Sequence, residues 1–218
     1  LITEGIIPDM DHVASVGYCS DEYTGVESTN IVNVNLRDPA AFNPDRFKRN
    51  FYASSSCGVC GKATIDAIRV EAEDITLQAQ VSVTTLYRLE HRLRANQSTF
   101  RTTGGLHGAA LFDLRGRLLM TREDVGRHNA VDKVIGSALR CGSAGLAQSI
   151  LLVSGRASFE VVQKALRGRI PIVAAVSAPS SLAVELAASS GVTLIGFLRS
   201  GRCNVYAGPE RVGAEMGS

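Results

Sequence analysis

The chain has 218 residues, a formal net charge of +2 and an isoelectric point near 8.4. Hydrophobic residues make up 45% and charged residues 20%, the balance of a globular chain with a real core. So mild a positive charge excludes a polycation that coats nucleic acid, and no apolar run reaches the ~20 residues that span a bilayer.

No signal-peptide pattern is visible, and the first residue is Leu1 rather than methionine. A trimmed or processed piece, with sequence missing upstream, is therefore expected. Five cysteines are present, and Cys19, Cys141 and Cys203 stand alone. An odd, scattered set fits a reducing intracellular compartment better than a secreted disulfide scaffold.

Residues 1–50 read as an irregular N-terminal portion and 51–218 as the main α/β domain. Val32, Val34 and Leu36 alternate with Asn33 and Asn35, the period of one half-buried strand, and Pro39 and Pro44 break the chain after it. Next comes Cys57-Gly58-Val59-Cys60-Gly61-Lys62, preceded by Ser54, Ser55 and Ser56 and followed by a helix-like stretch, Ala63 to Ile68. A serine N-cap would leave these thiols near free N–H groups and the positive end of the helix dipole, a setting that stabilises thiolate.

Val83, Leu86, Leu89 and Leu93 keep helical spacing, so 81–95 is expected as an amphipathic helix with Arg88, Arg92 and Arg94 exposed. Gly108 to Asp113 and Arg117 to Met120 flank Leu114-Arg115-Gly116 as a hairpin. Val131, Val134, Ile135 and Leu139 mark a helix after Arg127-His128-Asn129. His107 and His128 are candidate acids, bases or ligand donors, against the plainer reading of satisfied structural histidines. Glu123 and Asp124 have a plain reading as caps of the helix that follows them.

Ile150 to Val153, Ile170 to Val176 and Val192 to Phe197 are continuous apolar runs separated by two helical segments. Val205-Tyr206 returns as an edge strand. The pattern is βαβαβ with a mostly parallel sheet buried on both faces. Ligands of such sheets bind beyond the carboxyl ends of the strands. Here those ends carry Ser154-Gly155-Arg156, Ser177 with Ser180, and Arg199-Ser200-Gly201-Arg202. Glycine allows close approach, serine donates, and arginine grips phosphate bidentately, so a nucleotide or pyrophosphate ligand is expected. Turn and cap chemistry is the plainer reading of each loop. The glycine motifs of the common ATP and NAD sites are absent.

Four chemistries compete for Cys57 and Cys60. Structural zinc needs four ligands, and no second pair is present. A zinc deaminase needs His-x-Glu before Pro-Cys-x-x-Cys; no histidine is followed two positions later by Glu, and Ser56 precedes Cys57. A thioredoxin-like pair fits Cys-Gly-Val-Cys before a helix, but no strong buried strand leads into it. A sulfur relay uses one cysteine as persulfide and the other to pass or resolve it.

Ser54 to Lys62 (SSSCGVCGK), Thr103 to Phe112 (TGGLHGAALF), Arg122 to Lys133 (REDVGRHNAVDK), Ser154-Gly155-Arg156 and Ser177 to Ser180 together resemble the formate dehydrogenase accessory sulfurtransferases, the FdhD family. The likeness runs from Thr3-Glu4-Gly5-Ile6-Ile7 to about Tyr206. It implies a cytoplasmic homodimer with a cytidine-deaminase-like α/β fold and no permanently held metal. It implies a sulfurtransferase that takes sulfur from a cysteine desulfurase. The sulfur goes to the molybdenum cofactor, as bis(molybdopterin guanine dinucleotide), before insertion into formate dehydrogenase. Cys57 matches the family's persulfide cysteine and Cys60 its partner. Phe197, Leu198, Arg199, Ser200, Gly201 and Arg202 match the cofactor-binding segment. Neither nucleic acid nor membrane is an implied partner. Cys203 departs from the family, standing where a bulky apolar residue is expected. A non-catalytic cofactor chaperone and a thioredoxin-like redox protein are the alternative functions.

Overall fold

The computed structural model describes residues 1–20, 27–42, 72–76 and 79–213. The chain divides into two compact units, Leu1–Tyr52 and Ala53–Ser218. In the first, β1 (Val13–Ser20) pairs antiparallel with β2 (Glu27–Leu36), from Val13 opposite Leu36 to Ser20 opposite Glu27. The alternation at Val32–Leu36 thus lies in a strand, but that strand is half of a hairpin whose other member was not expected. The hairpin's open end is tied by Arg37, whose N–H donates to the His12 carbonyl at 3.0 Å and whose Nε donates to that of Asp11 at 2.9 Å.

The second unit is built on a six-stranded sheet. Its members are β4 (His107–Asp113), β5 (Leu118–Asp124), β6 (Ser149–Val153), β7 (Ile172–Ala175), β8 (Thr193–Arg199) and β9 (Arg202–Ala207). The spatial order is β5-β4-β6-β7-β8-β9. The pairs β6–β7 and β7–β8 are parallel, and β4–β5, β4–β6 and β8–β9 antiparallel, so β5, β6, β7 and β8 point one way and β4 and β9 the other. The expected hairpin, the βαβαβ core and the returning edge strand are all present.

Helices cover both faces, which is why the central strands are apolar throughout rather than alternating. On one face α3 (Arg127–Arg140), α4 (Phe159–Arg167) and α5 (Ser181–Ser189) pack on Leu111, Leu151, Val153, Val173 and Leu194. On the other, α1 (Val83–Ala95) lays Leu86, Leu89 and Leu93 against Phe112, Ile150, Leu152, Ile172 and Ile195. Each buried leucine of α1 contributes about 1.5–3 kcal/mol of transfer free energy. Ser82 caps α1, accepting from the Thr85 N–H at 3.1 Å. Arg88 and Arg94 are exposed, as the amphipathic pattern requires. Arg92 differs: it is half-buried, and its Nη1 donates to the Gly116 carbonyl in the β4–β5 turn. Gly116 holds that turn at φ +78°, where a side chain is strained and a Cβ would lie 2.7 Å from Thr85.

A short helix, α2 (Ser98–Thr103), follows α1 and ends in left-handed Gly104 at φ +67°. A two-residue parallel pairing joins β3 (Val81–Ser82) to β10 (Val212–Gly213). No helix among the described residues is long and apolar enough to cross a membrane.

Candidate functional site

One rim of the sheet gathers the chemistry. The carboxyl ends of β5, β6, β7 and β8 lie there beside the start of β4, with His107 opposite Asp124 and Ala109 opposite Val153. The helices α3, α4 and α5 each follow one of these strand ends, so their N-termini, rich in free N–H groups, face the same rim.

The strand-end loops are locked to one another beyond the sheet. The Ser177 N–H donates to the Gly155 carbonyl at 3.3 Å, that of Ser180 to Ala157 at 3.0 Å, and that of Phe197 to Ser177 at 3.1 Å. Several of the small polar residues are consumed by this scaffolding. Ser180 caps α5, its Oγ accepting from the Ala183 N–H at 3.2 Å, and Ser154 Oγ accepts from the Gly108 N–H at 2.9 Å. For Ser180 the plain cap reading holds.

The segment Phe197–Arg202 ends β8 and turns into β9. Phe197 has φ +52° and is 43% exposed, while Leu198 is fully buried in the core on the α1 side. Arg199 is half-buried, and its Nη1 donates to the carbonyls of Val176 at 2.5 Å and Leu198 at 3.1 Å. Arg199 pairs in register with Arg202 across a turn containing Gly201 at φ +81°. Ser200, Gly201, Arg202 and, on the β6 loop, Arg156 are exposed. Cys203 is half-buried against the α1-side core, and burial pushes its thiol up, which fits packing rather than reactivity. Cys57 and Cys60, with Lys62, lie outside the described residues.

The two histidines part company. His128, in the first turn of α3, stands 3.0 Å from Ser158 Oγ and 3.8 Å from Glu160 Oε2 on α4. Burial holds its imidazole below the ordinary value, and Arg127 pushes the same way. Asp132 next to it grips the buried Lys164 with both oxygens at 2.9 Å. Asp124 braces the entry to α3, accepting from the Gly126 N–H at 2.9 Å, from Asn129 at 3.1 Å and from Lys133 at 2.6 Å. Lys133 and the Gly126 N–H hold its carboxyl below the usual carboxylate range. Glu123 instead caps α2, its oxygens accepting from the Thr99 and Phe100 N–H groups at 3.0 and 2.8 Å.

His107 lines a cavity of about 340 Å³ at this rim. Its walls include Leu93 and Arg94 of α1, Gln97 and Phe100 at α2, Ser154 after β6 and Val176 after β7. Gly104, Gly105, Leu106 and His107 belong to the Thr103–Phe112 motif and Ser154 to a strand-end loop, but Gln97 and Phe100 were not singled out in the sequence. A signal existed: Leu86, Leu89, Leu93 and Gln97 continue one stripe at helical spacing, and the last of them is polar.

A model of the FdhD/NarQ family matches residues 1–213. The chain is 51% identical over 217 residues to a protein named Sulfur carrier protein FdhD from Streptomyces avermitilis, covering 97% of this chain and 77% of the relative. It is 48% identical over 219 residues to one of the same name from Mycobacterium tuberculosis, covering 97% and 79%. Among solved structures, a formate dehydrogenase accessory protein from Desulfotalea psychrophila matches with a TM-score of 0.70 and 25% identity, over 98% of this chain and 76% of that one.

Proposed function

This chain belongs to the FdhD/NarQ family, and from that premise we propose that it is a sulfur carrier for formate dehydrogenase maturation. The observation that carries the reading is the 51% identity, over nearly the whole chain, to a relative named a sulfur carrier protein. Its cargo route runs from a cysteine desulfurase to the molybdenum cofactor in its bis(molybdopterin guanine dinucleotide) form. It works in the cytoplasm as a homodimer.

The Cys57 thiolate attacks the outer sulfur of a donor persulfide. The donor S–S bond breaks, its electron pair leaves on the donor thiolate, and Cys57 retains the sulfur with its proton. No oxidant is consumed. Lys62 and the N–H groups of the loop favour the anionic forms of Cys57. Cys60 assists release or protects Cys57 by exchange. The dinucleotide is substrate, and the strand-end rim supports this part of the reading. Arg199 and Arg202 offer guanidinium forks to its pyrophosphate, Gly201 lets the backbone approach, and the N-termini of α3, α4 and α5 favour anions.

Incubation with a desulfurase and cysteine, followed by intact-mass measurement, tests the first step. The wild-type chain gains one sulfur atom and Cys57→Ala does not; a Cys57→Ala chain that gains it as readily refutes the assignment. The same variant separates a carrier from a passive chaperone, because a chaperone would still restore formate dehydrogenase activity to a strain lacking the protein. GDP binding tests the rim: Arg199→Ala/Arg202→Ala binds more weakly, and equal affinity removes the two arginines from the site.

A further inference from the structure

Positive charge collects at the end of the sheet away from the rim. There β4 and β5 are joined by the turn around Gly116, and α1 lies against it. A Cβ at Gly116 would fall 2.7 Å from Thr85 Cγ2, 3.3 Å from Leu89 Cδ2 and 3.6 Å from Arg92 Nη1. Arg88 and Arg92 share the helical stripe of Thr85 and Leu89, and Arg115 and Arg117 flank Gly116. Four arginines therefore meet at one turn.

One carboxylate answers them. Asp113 accepts from the Arg115 and Arg117 N–H groups at 3.1 and 2.8 Å and from Arg117 Nε at 3.1 Å. Glu90, the one acidic residue of α1, is taken by Arg94 Nε at 2.5 Å. Arg92 donates to the Gly116 carbonyl, which satisfies Nη1 and leaves the charge. Among the described residues Arg88, Arg92 and Arg115 stand in no ion pair. Four guanidinium groups against one carboxylate leave three positive charges, more than the +2 of the whole chain. The helix gains nothing from the concentration, because Arg88 and Arg92, four apart, repel each other. Such a field draws in an anionic partner and speeds its encounter. Two residues beyond Arg117, the register of β5 against β4 shifts, which leaves Leu119 without a cross-strand partner and 42% exposed. Arginines beside an exposed apolar side chain have the composition of a protein interface. Three charges are few for a nucleic-acid surface.

Position selects the partner. The turn lies at the opposite end of β4 from His107, about 20 Å from the rim along a seven-residue strand. A protein docked here leaves the rim open. In the proposed function the cofactor occupies the rim and leaves from it to the dehydrogenase, whereas the sulfur donor has no need of the rim. We propose that Arg88, Arg92, Arg115 and Arg117 form the docking surface for an acidic face of the sulfur donor. The assignment rests on the carrier reading, in which that donor is a cysteine desulfurase. The surface steers and holds the donor and takes no part in sulfur chemistry.

Binding of a cysteine desulfurase to the full Cys57→Ala chain, followed by biolayer interferometry, reads docking with no sulfur moved. Adding Arg88→Glu/Arg115→Glu weakens binding roughly tenfold or more, chiefly through slower association. Raising salt from about 50 to about 300 mM weakens the parent and changes the reversed variant far less. Both side chains are exposed, so the variant folds. Arg101→Glu/Arg140→Glu, exposed elsewhere, makes the same change in net charge and binds as the parent does. In the chain that keeps Cys57, Arg88→Glu/Arg115→Glu slows sulfur loading from the desulfurase and leaves loading from glutathione persulfide, a small donor that needs no docking, unchanged. Absence of desulfurase binding by the parent, unchanged affinity in Arg88→Glu/Arg115→Glu, or equal weakening by the two double variants overturns the proposal. So does tighter binding of tRNA or of phosphatidylserine vesicles at these arginines. A chain that binds the desulfurase through them yet gains no sulfur refutes the carrier reading and leaves the docking surface standing.

Discussion

Phe197 sits at φ +52°, a left-handed backbone that ordinarily costs a non-glycine residue about 1–3 kcal/mol. The neighbouring geometry imposes it. Its N–H is committed to the Ser177 carbonyl at 3.1 Å, and the register of β8 against β9 shifts between Gly196 and Arg199. The ring is 43% exposed, so removing it forfeits little packing. Phe197→Gly is therefore expected to leave stability within about 1 kcal/mol of wild type in urea unfolding, where a phenylalanine in a regular core strand would cost about 3–5 kcal/mol. A fall in GDP affinity in the same stable variant places the ring in the site. His128 offers a second residue-level prediction. Burial first, then Arg127, holds its folded value below 6.5, against the opposing pull of Glu160. The unfolded chain binds the proton more readily, so the stabilisation is present above about pH 6.5 and is lost as pH falls from there toward the lower folded value. Unfolding midpoints at about pH 7.5 and about pH 5.5 should drop more for wild type than for His128→Gln. A parallel drop would remove His128 as the cause.

The helix α2 has six residues, too few to hold itself together, and its N-cap position, Gln97, makes no side-chain cap bond. The cap comes from Glu123 on β5, 24 and 23 residues away from Thr99 and Phe100 in the chain. This is why no helix is legible in the sequence over Ser98–Thr103. The local signals that start a helix are missing, and a strand supplies the substitute. The hidden cap also accounts for the cavity going unread, since Gln97 and Phe100 are wall residues positioned by α2. Glu123→Ala should destabilise the chain by about 1–2 kcal/mol, the range of a lost N-cap, and should speed amide exchange at Thr99 and Phe100. Unchanged exchange at those two amides would mean that α2 is held by packing instead.

Across the Ala53–Ser218 unit, legibility followed burial. Strands β6, β7 and β8 are covered on both faces, so Ile150–Val153, Ile170–Val176 and Val192–Phe197 stand out as unbroken apolar runs, and their carboxyl ends locate the rim. Among the elements that escaped notice, the two-residue strands β3 and β10 depend on each other across more than half of the chain, and β1 in the N-terminal unit lacks an alternating pattern of its own and is fixed by its pairing with β2. The joint around β10 makes a prediction about the unit as a whole. The Ile75 N–H donates to the Ser190 carbonyl at 2.8 Å, anchoring the segment before β3 and α1 to the end of α5. Arg211, 7% exposed, donates through Nη2 to the Ile75 carbonyl and through Nη1 to Thr193 Oγ1, each at 3.3 Å. Thr193 in turn donates to the Gly208 carbonyl at 2.8 Å, and Gly208, at φ +61°, leaves a Cβ only 2.9 Å from the Thr193 Cα. One guanidinium thus ties the lead into α1, the first residue of β8 and the close of β9. Arg211→Ala leaves a buried carbonyl without its donor and a gap beside it, a loss on the order of 2–4 kcal/mol. Arg211→Lys, with a single ammonium in place of the planar fork, should fall between. Because the three elements share the one clamp, the loss should appear as a lower cooperative unfolding midpoint. If instead the midpoint held and only the amides near Val212 exchanged faster, the clamp would be a local fastening of β10 and nothing more.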